Sequence, residues 1–315
     1  MKRIILGTRG SALALAQVVL TRAALAKAWP AIVIEEKIFT TRGDLKSDLS
    51  LMRAGSAGGK GLFTKELEDA LLAGTIDVAV HSLKDLPGEN PPGLKVTAVL
   101  ERAATADLLL TKGKAGLAAL PKGAKVGTSS VRRARQLLWL RPDLNIEELR
   151  GNVPTRLRKF AASEDLSAIV LAQAGLDRLG YAFKRGTLIF DGVKLRAASL
   201  ADQLLPAIGQ GAIALQSRAD RAEVATVLDA INHLPTFTCI RAERELQRLL
   251  AGDCGLPVGV SSELGPHSLR LRGILFGSAE KPTEAEVSGP AHDPEAVAAK
   301  LFARISPPPP PPVPA

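Results

Sequence analysis

Ile4-Ile5-Leu6-Gly7-Thr8-Arg9-Gly10-Ser11 leads into a helical pattern over Ala12–Ala28, and Lys125-Val126-Gly127-Thr128-Ser129-Ser130 leads into another over Val131–Leu140. Each is a short apolar strand that ends in Gly-Thr, passes through serine and enters a helix. A second pair of echoes follows. Asp77–Val80 runs into His81-Ser82-Leu83-Lys84-Asp85, and Ser167–Leu171 runs into Ala172–Asp177. The doubled pattern predicts two similar α/β lobes facing each other across a cleft. Between these stretches, Ile32–Phe39 and Ile76–Val80 read as strands and Phe63–Ala73 as a helix with apolar residues at three- and four-residue spacing. Ile146–Leu149, a helix over Thr155–Ala162 and Ala168–Leu171 repeat the alternation in the second lobe. Such βαβα order predicts mostly parallel sheets covered by helices.

Farther along, Pro87–Gly93 is a turn-rich stretch, Val96–Leu100 a strand, and Ala212–Leu215 a strand that can return to the first lobe. The expected units are residues 1–99 with 200–218, then 100–199, then an α+β unit over 219–306. That third unit opens with helices at about Ala222–Ile231 and Ile240–Leu250, continues through strands at Val258–Ser261, Leu269–Leu275 and Ala285–Val287, and closes with a helix over Pro294–Ile305. Residues 307–315 are expected to be a disordered tail, because consecutive prolines lack the amide donor that helix and sheet need.

The chain has 315 residues, long enough for two or three domains, with 46% hydrophobic and only 3% aromatic residues. Its formal net charge of +9 suits an anionic partner. Nucleic-acid binding usually adds aromatic platforms or a long basic run, and neither is present, so a small acidic ligand fits better. Cys239 and Cys254 form no metal-ligand pattern; they are one disulfide in an oxidising compartment or two thiols in a reducing one. No apolar run has the length of a membrane span. Lys2, Arg3 and Arg9 before Ala12–Leu20 mimic a secretory leader, but Gln17 interrupts the run and Ile4–Leu6 reads as a strand. A cytoplasmic protein is expected.

Loops at Gly7–Ser11 and Gly127–Ser130 present hydroxyls and helix N-termini, which either cap the helices or hold an anion. Arg9 at the first loop and Arg132-Arg133 at the second favour the anion, and Arg150, Arg156 and Arg158 add further guanidinium to the second lobe. Guanidinium takes carboxylate through two parallel hydrogen bonds, so a ligand with several carboxylates is indicated. Asp85 beside Lys84, at the carboxyl end of a buried strand, is an acid–base candidate or an ordinary turn ion pair. Gly55–Gly61 is a glycine-rich lid or linker and lacks the ending of a phosphate-binding P-loop. Cys254 stands in a glycine turn and Cys239 in a helical pattern.

Taken in order along the chain, Thr40-Thr41-Arg42-Gly43-Asp44, Gly58-Gly59-Lys60-Gly61-Leu62-Phe63, Val80–Asp85, Val126–Arg133, Leu149-Arg150-Gly151-Asn152 and Gly209-Gln210-Gly211 resemble the porphobilinogen deaminase family. The resemblance implies two lobes folded like type II periplasmic binding proteins and a smaller C-terminal α+β domain. It implies a transferase that condenses four porphobilinogen molecules head to tail into hydroxymethylbilane, releasing ammonia each time, with a dipyrromethane cofactor joined by thioether to Cys254. By the same resemblance Asp85 is catalytic. Lys84, Ser129, Arg132, Arg133 and Arg150 hold the cofactor, Arg9, Ser11, Arg156 and Arg178 the substrate, and Lys60 and Phe63 belong to a loop over the site. No metal, nucleic acid or membrane partner is implied, and a monomer is expected. The alternative reading is a two-lobed solute-binding protein for a small polycarboxylate. Three positions depart from the family pattern. Gly252-Asp253-Cys254-Gly255 stands where Gly-Gly-Cys and a polar residue are usual, Gln216 where glutamate is frequent, and Glu245 where a small residue is usual. Asp253 puts a negative charge beside the thiol and is expected to slow cofactor attachment.

Overall fold

The computed structural model describes residues 1–40, 64–181, 183–250, 257–277 and 281–306. Strand β1 (Arg3–Arg9) enters helix α1 (Ala12–Ala28), whose first turn is capped by the Ser11 hydroxyl accepting from the Ala14 amide. Ala14, Gln17, Val18, Thr21 and Leu25 turn inward at helical spacing. Strand β2 (Val33–Phe39), helix α2 (Lys65–Leu72), β3 (Val78–Ser82) and β4 (Leu94–Val99) complete the first pass. A single 3-10 turn, Leu83–Asp85, closes β3.

The chain then crosses to the second lobe as β5 (Asp107–Thr111), β6 (Lys125–Gly127), α3 (Val131–Leu140), β7 (Asn145–Glu147), α4 (Val153–Ala162), β8 (Ala168–Ala172) and α5 (Gln173–Arg178). A hairpin of β9 (Thr187–Phe190) and β10 (Val193–Ser199) follows, and β11 (Ile213–Arg218) returns to the first sheet. The sheets run β2-β1-β3-β11-β4 and β7-β6-β8-β5-β10-β9. Both therefore use one strand order: second, first, third, a strand arriving from the other lobe, fourth. This is the topology of a type II periplasmic binding protein.

The sheets are more mixed than the sequence implies. Strands β1, β2 and β3 are parallel, as are β6, β7 and β8, but β11 runs antiparallel to β3 and β4, and β5 antiparallel to β8. The cause is the double crossing: a strand that arrives from the opposite lobe enters the sheet from its other end. The two crossings also pair with each other, through Ala103 N–H to Gly211 O and Leu100 N–H to Ile213 O.

Helix α6 (Ala222–Asp229) differs in placement from the sequence reading, which opens the third unit with it. Its Val224, Val227 and Leu228 pack with Ile4, Leu6 and Val80 of the first sheet, because that face of β1 and β3 needs an apolar cover. The third core instead begins with α7 (Leu234–Leu249). It lies with α8 (Pro294–Ile305) against a meander of β12 (Val258–Leu264), β13 (Ser268–Leu275) and β14 (Thr283–Pro290). Cys239, Ala242 and Leu246 of α7 meet Val260, Leu271, Val297 and Leu301 there.

A buried ion pair fastens this third core to the crossings. Arg102 donates from Nη1 and Nη2 to the two Glu243 oxygens at 2.6 and 3.0 Å and from Nε to Gln210 O, while Glu243 also accepts from the Gly209 amide. The side chain of Glu243 has no exposed surface.

Candidate active site

The polar ends of β1 and β3 meet in a pocket of about 60 Å³ lined by Arg9, Ser11, Gln17, Thr64, His81, Ser82 and Asp85, among others. Gln17 is buried for a reason visible here. Its amide reaches across to the Ser82 hydroxyl at 2.8 Å and anchors α1 to the end of β3. His81 is buried and paired with Gln216 Oε1 at 3.1 Å. Burial pushes its pKa down to about 4, against the Gln216 contact and with the help of the Arg9 and Arg244 charges, so the ring is neutral near pH 7. Gln216 also donates to Glu68 at 3.5 Å, and this residue, which departs from the family pattern, therefore bridges an imidazole and a carboxyl.

On the second lobe, the Ser130 hydroxyl caps α3 by accepting from the Arg133 amide, and the Ser129 hydroxyl donates to Leu149 O. The capping reading of the Gly-Thr-Ser loops is thus realised in both lobes. Capping also sets the first turn of α3, which points Arg132 and Arg133 into the protein.

Both guanidiniums converge on Asp107, the first residue of β5. Arg132 Nη2 donates to Oδ2 at 2.7 Å, and Arg133 donates from Nε and Nη2 to Oδ1 at 3.1 and 2.7 Å. Gln210 Nε2 adds a fourth bond at 2.9 Å, and Leu205 O and Val170 O accept from Arg132 and Arg133. Burial alone would raise the Asp107 carboxyl, but the two guanidiniums outweigh it and hold the group well below the usual carboxylate range.

Lys84 and Asp85 of the first lobe share this electrostatic neighbourhood with Arg133 and Arg156 of the second. Burial, then Arg133, lowers the Lys84 pKa to about 8, against the pull of Asp85 and Asp107. Burial, then Arg133, lowers Arg156 to about 10, with Asp85 opposing and Arg150 adding to the repulsion. Arg156 donates from Nε to Gly151 O, and Arg150 from Nε to Glu148. Arg178 donates to Gly211 O at 2.7 Å, across the returning crossing, and burial lowers its pKa. The structure thus brings Lys84, Asp85, Arg133, Arg150 and Arg156 together from the two lobes, sets Arg9 and Ser11 with Asp85 in the first-lobe pocket, and ties Arg178 to the hinge. Lys60, Phe63, Cys254 and the Gly55–Gly61 segment lie outside the described residues.

Two buried donors of this region, Arg132 Nε and Arg150 Nη2, have no partner among the described residues. Unpaired guanidinium nitrogens beside cations whose pKa is already depressed are what a ligand with several carboxylates would satisfy. A dipyrromethane bearing acetate and propionate arms fits that donor set. No group of three or more His, Cys, Asp or Glu suited to a metal ion occurs among the described residues.

Asp107, Gln17, Gln210 and Glu243 are absent from the sequence-based candidates. Signals for three of them stand in the sequence: Asp107 heads the otherwise apolar run Leu108–Leu110, Gln17 interrupts an apolar run, and Gln210 lies between two glycines.

Fold and site define a two-lobed α/β protein of type II binding topology with a third domain fixed at its hinge. The chain belongs to the porphobilinogen deaminase family. Residues 4–226 match the porphobilinogen deaminase dipyromethane cofactor binding domain, and residues 237–306 match the porphobilinogen deaminase C-terminal domain. Porphobilinogen deaminase of Syntrophobacter fumaroxidans is 44% identical over 272 residues, 86% of this chain and 83% of that one. The Moorella thermoacetica enzyme of the same name is 43% identical over 309 residues, covering 96% and 94%. Among solved structures, the aliphatic sulphonate binding protein SsuA of Escherichia coli aligns at a TM-score of 0.40 and 16% identity over 80% of this chain and 71% of that one.

Proposed function

We propose that this chain condenses four porphobilinogen molecules head to tail, releasing one ammonia per ring and taking up one water as hydrolysis frees hydroxymethylbilane, as a transferase of tetrapyrrole biosynthesis that carries a dipyrromethane cofactor. The observation that supports it best is the meeting of Asp85 and Lys84 with Arg133, Arg150 and Arg156 across the cleft, one carboxylate set among many cations. Each porphobilinogen brings two carboxylates, so every ring added needs more guanidinium, and charge-assisted bonds of about 1.5–3 kcal/mol each favour arginine for the task.

In this reading Lys84, Ser129, Arg132, Arg133 and Arg150 hold the acetate and propionate arms of the cofactor, and Cys254 is its point of attachment. The cofactor supplies the pyrrole carbon to which the first substrate ring is joined. Arg9, Ser11, Arg156 and Arg178 orient the incoming substrate, and Lys60 and Phe63 cover it. Asp85 accepts hydrogen bonds from pyrrole N–H groups. Its carboxylate offsets the positive charge that develops as the amine leaves, and it passes a proton between ring and leaving group. Asp107 touches no substrate; it holds the Arg132–Arg133 pair in place before any ligand arrives. Among the described residues no helix is long and apolar enough to cross a membrane. The expected setting is the cytoplasm, with the chain working as a monomer and without nucleic acid.

The test separates charge from shape at Asp85. In preparations already loaded with cofactor, Asp85→Glu should keep part of the single-turnover rate. Asp85→Asn should lose about 10²–10³, because an amide neither offsets a cation nor moves a proton at neutral pH. Equal, near-native rates in both variants would remove Asp85 from the chemistry.

A further inference from the structure

A second pocket, of about 210 Å³, lies where α7 crosses β4; it shares no lining residue with the pocket of Arg9 and Asp85, although the charge of its Arg244 reaches His81 there. Its floor is Arg244. That side chain is buried at 9% exposure, and its guanidinium donates only to neutral acceptors, Pro87 O at 3.0 Å and Gly88 O and Asn90 Oδ1 at 3.3 Å. No carboxylate contacts it among the described residues, and burial has pushed its pKa down to about 10. A buried guanidinium without a counter-charge is uncommon, because carbonyls satisfy its N–H groups but do not neutralise it.

The carboxylates at the mouth are already engaged. Glu245 takes two bonds from Arg248 at 2.8 and 2.7 Å, and Glu295 takes two from Arg241 at 2.8 and 2.7 Å. Lys95, exposed on β4, lines the same mouth, and its ammonium has no ion-pair partner among the described residues. The Glu89 charge also acts on Arg248, so four cations meet three carboxylates, an excess of one that matches a single anionic group. The loop that Arg244 holds begins two residues after Asp85, and α7 ends five residues before Cys254.

We propose that this pocket is an anion site separate from the cleft, with Arg244 at its floor and Lys95 at its mouth, taking a small oxyanion of the carboxylate or phosphate class. The site does not depend on the activity assigned above.

The test is amide chemical-shift titration of the full-length, cofactor-loaded protein with inorganic phosphate and, separately, with succinate, at constant ionic strength set by chloride. Saturable shifts at Gly88, Lys95 and Arg244 are expected. A response to phosphate alone, to succinate alone or to both assigns the ligand class. Arg244→Gln should weaken binding at least about tenfold and Lys95→Ala about threefold, with porphobilinogen turnover unchanged in Lys95→Ala. Should Arg244→Gln fail to fold, Lys95→Ala and Arg248→Ala decide. Shifts confined to Arg9, Ser11 and Ser129, no saturable shift, or unchanged affinity in the variants that fold would overturn the proposal.

Discussion

Replacing Asp107 by asparagine keeps the side-chain shape and removes one charge from the centre of a buried cluster. Three N–H groups from Arg132 and Arg133 and one from Gln210 point at its two oxygens, and its side chain has no exposed surface while the arginines retain only 4% and 6%. The amide of Asp107→Asn offers one acceptor where there were two, and its NH₂ faces guanidinium donors. Two buried cations are then left without a counter-charge, a loss of about 3–5 kcal/mol when one partner of a buried pair is removed. Urea unfolding of the second lobe reads this directly. Trp139 lies in α3 and Trp29 in the first lobe, so a Trp29→Phe background makes fluorescence report on α3. The pH dependence follows from the sign of the shift. The folded carboxyl titrates below the unfolded one, so its stabilisation is complete above the unfolded value near 4 and fades as pH falls from there toward the folded value. The gap between wild type and Asp107→Asn should be constant from pH 7 to about 5 and narrow below about 4. A gap under about 1 kcal/mol, or one that ignores pH below 4, would show that the guanidinium pair does not rely on Asp107.

Gly211 has φ +85, and a Cβ there would stand 2.5 Å from Ala103 O of the paired crossing, so Gly211→Ala should cost about 2 kcal/mol or more by urea midpoint. Gly192, with φ +78 and nothing within 4 Å of an added Cβ, is the control, and Gly192→Ala should lose only about 1–2 kcal/mol from backbone strain. Lys84 should titrate near 8 in cofactor-free Cys254→Ser protein and higher once cofactor carboxylates face it, which carbon NMR of the lysine side chain can follow. The same pKa in both forms would place Lys84 outside the cofactor site.

Both lobes were legible because their signals are local. Ser11 and Ser130 stand immediately before helical patterns and do cap them, and the strands entering them are short apolar runs. The β9–β10 hairpin is faint in the sequence although Asp191-Gly192 marks its turn, with φ of 47 and 78, because only Leu195 of β10 is buried and its alternation is weak. Helix α6 shows an apolar face in the sequence without saying which sheet it covers, and the structure packs it on the first. In the site, the arginines stand out by number and by their place at the Gly-Thr-Ser loops. The role of Asp107 does not, since its partners lie 25 and 26 residues away on another element. Gly209-Gln210-Gly211 was recognised as a motif, but its reason is tertiary: both glycines have positive φ, and Gln210 spans to Thr105 O and Asp107.

The proposed transferase carries its cofactor on Cys254. Intact mass of the purified protein tests it in a single spectrum. Wild type should exceed the sequence mass by one dipyrromethane unit, Cys239→Ser should carry the same excess, and Cys254→Ser should match its bare sequence. An unmodified wild-type chain that still turns over porphobilinogen would contradict the account.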